Sequence, residues 1–159
     1  MLWYSRTSIY VILQELFRQM TKNVNALITK FSEQPKKLFL IDGIGALFTA
    51  ILIGGILVQL SPLIGLSKII LFQLAAIAIL FALYSFSCNL YLKKVKPIFF
   101  QLIGYANLLY CGLTLLILLI NCRQVQPLGY VYFFAEIVII FVLSYIELSV
   151  ANNLKIKGQ

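Results

Sequence analysis

The sequence predicts an all-α fold: a polytopic membrane four-helix bundle preceded by an N-terminal amphipathic interfacial helix. Of its 159 residues, 62% are hydrophobic and 11% charged, against about half and about a quarter in a soluble domain. The mean hydropathy is +0.97. Four apolar stretches each reach the roughly 20 residues that a helix needs to cross the hydrocarbon core.

The first element lies within residues 1–37. Ile9, Ile12, Leu13, Leu16, Phe17, Met20, Val24, Leu27, Ile28 and Phe31 recur at helical spacing, with Glu15, Arg18, Lys22, Asn25 and Lys30 as the polar complement. This is the pattern of a helix lying on a membrane leaflet. The apolar run 9–13 is short and no small-x-small site follows it, unlike a signal peptide. Met20-Thr21-Lys22 would itself serve as an ordinary start, so residues 1–19 read either as part of this helix or as an upstream extension.

The spans are predicted at 38–60, 69–91, 97–120 and 128–151, with 152–159 as a tail. Turn and charge signals separate them: Ser61-Pro62 with Gly65 and Lys68, then Lys93-Lys94-Val95-Lys96-Pro97, then 121–127 with Arg123. Connections this short make consecutive helices antiparallel neighbours.

Orientation follows from the basic residues. Arg6, Arg18, Lys22, Lys30, Lys36, Lys37, Lys93, Lys94, Lys96, Lys155 and Lys157 fall on one side, and only Lys68 and Arg123 on the other. The positive-inside rule then puts both termini in the cytoplasm, with the chain in a cell inner membrane. The net charge of +8 is a membrane address whose partners are anionic lipid head groups, and it gives no call for nucleic acid.

Composition also narrows the chemistry. Histidine is absent, which removes the commonest metal ligand and the usual general base near neutral pH. Cys88, Cys111 and Cys122 are far apart with no CxxC, so they read as small apolar fillers, Cys122 alone standing in a loop beside Arg123. Phosphate-loop, dinucleotide and EF-hand motifs are absent. No cofactor and no metal is expected.

Of five acids, Asp42, Glu136 and Glu147 fall inside predicted spans. An ionised carboxylate near the bilayer centre costs several kcal/mol, so such groups face the bundle interior or find a partner. Asp42 and Glu147, each four residues from a predicted cytoplasmic end, share a level roughly 6 Å deep, where Lys37 or Lys94 could reach them. Glu136, roughly 12 Å from the outer end, and Asn107, roughly 15 Å from the inner end, stand near mid-membrane. The eleven residues from Glu136 to Glu147 turn the helix by about 1100°, which sets both on one face. Asn107, Tyr110, Cys111 and Thr114 form a polar stripe on the third span, expected to face Glu136. Two polar layers follow: an inner one of Asp42, Ser85, Cys88, Asn89 and Glu147, and a central one of Asn107, Tyr110 and Glu136. Asp42, Ala46, Ala50 and Gly54 form a small-residue seam for close helix approach.

The segments Lys37-Leu38-Phe39-Leu40-Ile41-Asp42-Gly43, Asn107-Leu108-Leu109-Tyr110-Cys111 and Tyr132-Phe133-Phe134-Ala135-Glu136 resemble uncharacterised small four-span bacterial inner-membrane proteins over roughly residues 35–150. That resemblance implies an architecture and no activity. The likeness to DoxX-like and sterol-isomerase-like membrane proteins is one of architecture alone.

Three functions fit these residues. The first is a small membrane binding or transport protein in which Glu136, helped by Asn107 and Tyr110, takes a proton or a cationic amphiphile. The second is a membrane-embedded enzyme that uses Asp42, Glu147 or Glu136 as acid and base on a lipid-like substrate; the missing histidine and nucleophile weigh against it. The third is an accessory subunit, in a homo-oligomer or with a membrane partner.

Overall fold

The computed structural model describes residues 2–156 and 158. The side chains of 2–10 and 17 lie outside the described part, and with them the expected roles of Arg6, Ile9 and Phe17; Lys157 lies outside it entirely. The chain is all α: α1 (Leu2–Glu33), α2 (Pro35–Ile51, continuing as a π-helical stretch Leu52–Leu57), a short α3 (Ser61–Ile64), α4 (Lys68–Tyr91), α5 (Pro97–Ile120) and α6 (Pro127–Ile156). Four helices are long and apolar enough to cross a membrane: Pro35–Leu57, Lys68–Tyr91, Pro97–Ile120 and Pro127–Ile156.

Local chemistry sets the boundaries. Pro35, Pro97 and Pro127 open their helices, where the missing N–H is no loss. Ser67 caps α4 by accepting from the Ile70 N–H at 3.4 Å. Gly65 ends α3 with φ +80°, and a Cβ there would stand 1.9 Å from the Gln124 carbonyl oxygen. Only glycine suits both the left-handed turn and the approach.

Two ends differ from the sequence expectation. Span one begins at Pro35 and not 38, because proline leads the helix without a side-chain cap. Span four runs to Ile156 and not 151. The predicted span ends at 151, but Val150, Ala151 and Leu154 are fully buried in a cluster with Ile28 of α1, and Asn153 Nδ2 donates to Ser32 Oγ at 3.3 Å. Tertiary packing carries the helix past its apolar run.

The same contact revises α1. Its later half docks on α6, burying Ile28 and half-burying Val24 and Phe31, while Ile12, Leu13, Leu16, Met20 and Leu27 remain exposed. The amphipathic stripe therefore serves two surfaces.

The spans form two hairpins. α2 packs along α4 and α5 along α6, whereas α2 scarcely touches α6 and α4 scarcely touches α5. One apolar cluster fills the distal end, where α3 lies, around Ile53, Leu71, Leu74 and Phe133. A second fills the proximal end, where α2 begins and α6 ends, around Leu38, Phe39, Phe100 and Val150. Phe39 of α2 stacks on Phe100 of α5 at 4.1 Å between ring centroids, which joins the hairpins there. Asp42, Ser85, Asn107, Glu136 and Glu147, all buried, lie along the spans between these two ends.

Small residues permit this packing. A Cβ on Gly54 would stand 3.1 Å from the Ala75 Cβ, and one on Gly104 would stand 2.9 Å from Leu148 Cγ. Ser144 Oγ donates to the Gly104 carbonyl at 2.6 Å. The seam of Ala46, Ala50 and Gly54 thus works in part as expected: Gly54 meets α4, and Ala46 lines a cavity.

Candidate functional site

Asp42, Asn107, Tyr110, Glu136 and Glu147 are all buried, with 2%, 4%, 4%, 7% and 0% of their surface exposed. They form two connected groups, divided differently from the sequence expectation. Asn107 Nδ2 donates to Asp42 Oδ1 and to Glu147 Oε2, both at 3.1 Å. Ser85 Oγ donates to Asp42 Oδ2. Asn107 therefore belongs with Asp42 and Glu147 and not with Glu136.

The cause is side-chain direction. Cα–Cβ bonds tilt toward a helix N-terminus. Because α5 starts at the proximal end and α6 at the distal end, Asn107 leans proximally and Glu147 distally, and the two converge. The acids also stand further from their helix ends than expected. From the observed ends, Asp42 is about 10 Å and Glu147 about 14 Å along its helix. Lys37 and Lys94 are exposed and reach neither acid; among the described residues the ion pair is Arg18–Glu15 on α1. Cys88 is buried in the proximal apolar cluster, and Asn89 is half-buried, so neither completes the inner layer.

The second group is Tyr110 and Glu136, as the stripe on α5 leads one to expect. Tyr110 Oη donates to Glu136 Oε1 at 3.3 Å, and Phe81 packs edge-on against the Tyr110 ring at 6.1 Å. Cys111 Sγ donates to the Ile137 carbonyl at 3.8 Å. Glu136 Oε2 and Glu147 Oε1 are buried without a hydrogen-bond partner.

A cavity of about 220 Å³ joins the groups, with Asp42, Asn107, Tyr110, Tyr132 and Glu136 among its polar walls and Leu52, Ile140 and Leu143 among its apolar ones. It exceeds the roughly 150 Å³ that holds a benzene ring. Gly45 and Phe48 of α2 and Ala135 and Ile139 of α6 line it and are exposed, so its mouth is the loose seam between α2 and α6. A mouth between two apolar helices opens sideways, toward what surrounds the bundle.

One contributor escaped the sequence reading. Leu52, the first residue of the π-helical stretch Leu52–Leu57, lines the cavity, and the Gly54-Gly55 pair within that stretch was the available signal, since π turns gather at functional sites and glycine tolerates them. Tyr132 lines the cavity one helical turn from Glu136.

The arrangement offers a hydrogen-bond acceptor to a ligand: a carboxyl oxygen on Glu136 without a partner, on a residue that lines the cavity together with Tyr110 and Tyr132. Among the described residues, no group of three His, Cys, Asp or Glu side chains is placed to hold a metal ion. Comparison with known proteins finds no matching family model, curated protein or solved structure.

Proposed function

We propose that this integral membrane protein binds a small amphiphile carrying a positive charge, admitted from the bilayer between α2 and α6 and held by Glu136. One observation carries the reading: Glu136 lines the cavity, and its Oε2 is buried with no hydrogen-bond partner among the described residues. A buried acceptor left unpaired costs about 1–3 kcal/mol, and a ligand donor recovers it. An ammonium group meets that oxygen with a charge-assisted bond, and the Tyr110 and Tyr132 rings favour a cation. Its hydrocarbon part lies against Leu52, Ile140 and Leu143 or extends through the mouth.

In the same reading the chain sits in a cell inner membrane with both termini in the cytoplasm. The basic bias of the connections supports this. The exposed stripe of Ile12, Leu13, Leu16 and Met20 on α1 then rests in the leaflet, with Arg18, Lys22 and Lys30 at anionic head groups.

The test is equilibrium binding of a dansyl-labelled alkylammonium to the protein in nanodiscs. Wild type is expected to saturate at one probe per chain. Glu136→Gln keeps the shape of the side chain and removes its charge, and is expected to weaken binding at least tenfold, about 1.4 kcal/mol. Equal affinity in both proteins would reject the proposal.

A further inference from the structure

We propose that Asp42, Glu147, Asn107 and Ser85 form a second site, for one monovalent cation, beside the ligand cavity and distinct from Glu136. Four carboxyl oxygens meet there. Three accept hydrogen bonds, from Ser85 and twice from Asn107; the fourth, Glu147 Oε1, receives no donor from the described side chains although Glu147 is fully buried, and the two carboxyls stand within hydrogen-bonding reach of each other.

The charge is unbalanced. Among the described residues, the titratable side chains near the pair are Tyr84 of α4, which interacts with both acids, and Tyr110 of α5 and Glu136 of α6, which line the same cavity as Asp42, and none is basic. Lys36 and Lys37, in the first turn of α2, are exposed. Two carboxylates with only neutral donors around them are not tolerated in a low-dielectric interior. One positive charge leaves a single net negative charge spread over both carboxyls and met by three donors, the condition in which a buried carboxylate is stable. The orphaned Oε1 is the atom that receives it.

Asp42 and Asn107 line the cavity, so one side of the site borders that internal space, while Glu147 is closed off from it. The fully buried Phe39–Phe100 stack closes the proximal side. The cation is a proton or sodium, because each answers the same charge and the same oxygens. The inference does not depend on what occupies the cavity at Glu136, so failure of one leaves the other intact.

Infrared difference spectroscopy on the full chain in nanodiscs tests it, with one arm stepping pH at fixed choline chloride and the other exchanging choline for sodium at fixed pH. A carboxyl band is expected to respond with a stoichiometry of one charge per chain. A response in the first arm alone identifies the proton, and one in the second identifies sodium. The band is expected to persist in Glu136→Gln and to vanish in Asp42→Asn and Glu147→Gln. Ser85→Ala is a milder change that removes one donor to Asp42, and is expected to shift half-saturation about tenfold toward lower cation concentration. The proposal is overturned if folded wild type shows no such band in either arm, if two charges bind, or if Ser85→Ala leaves half-saturation unchanged.

Discussion

Replacing Asn107 with alanine separates a bridging role from ordinary packing. The amide donates to both Asp42 and Glu147 at 3.1 Å, so a single substitution removes two interhelical bonds and leaves two buried carboxyls short of donors. Interhelical hydrogen bonds in membranes average about 0.6 kcal/mol and reach about 1.7, while bonds to charged groups contribute about 1.5–3 kcal/mol in soluble proteins. Two bonds of the stronger kind give an expected loss of about 3–6 kcal/mol. Tyr110→Phe removes one bond of 3.3 Å and is expected to lose about 0.6 kcal/mol. The assay is reversible unfolding in mixed micelles by titration with sodium dodecyl sulfate, followed by helical circular dichroism. A double-mutant cycle completes it: in an Asp42→Asn, Glu147→Gln background the cost of Asn107→Ala should fall to about 1 kcal/mol. Equal losses for Asn107→Ala and Tyr110→Phe, or an unchanged cost in that background, would refute the bridge.

Other consequences follow from the packing and the topology. A Cβ on Gly129 would stand 2.5 Å from the Ile64 carbonyl oxygen, whereas one on Gly112 meets nothing within 4 Å; Gly129→Ala should cost about 1–3 kcal/mol, and Gly112→Ala should be neutral or stabilising by up to about 1 kcal/mol, both read by thermal unfolding in detergent. Cys122 is exposed while Cys88 and Cys111 are buried, so a membrane-impermeant maleimide should label intact cells once per chain, at Cys122. Labelling that needs permeabilised cells would reverse the proposed orientation. Ala135 stands at the cavity mouth, and Ala135→Trp should abolish probe binding with no loss of stability; undiminished binding would contradict entry between α2 and α6.

The fold was legible because a spanning helix needs length and apolarity, and both are visible in the order of residues. Its ends were less so. The apolar run ends at Ala151, and the helix goes on because Leu154 joins the buried cluster that holds Ile28, which unites segments more than a hundred residues apart. The pairing of Tyr110 with Glu136 followed from helical spacing. That of Asn107 did not, because residue depth along an axis ignores the opposite lean of side chains on antiparallel helices. The cavity was beyond sequence reasoning altogether. It exists because the two hairpins pack tightly within themselves and loosely across α2 and α6, a property of fitted surfaces.

The most direct measurement of the central claim is a structure of the protein in a lipid nanodisc with a saturating alkylammonium. Density for the ammonium within hydrogen-bond distance of Glu136 Oε2, its chain passing between Phe48 and Ile139, is the expected result. A cavity collapsed or filled by side chains, with Glu136 bonded to Tyr110 alone and the amphiphile elsewhere, would contradict it.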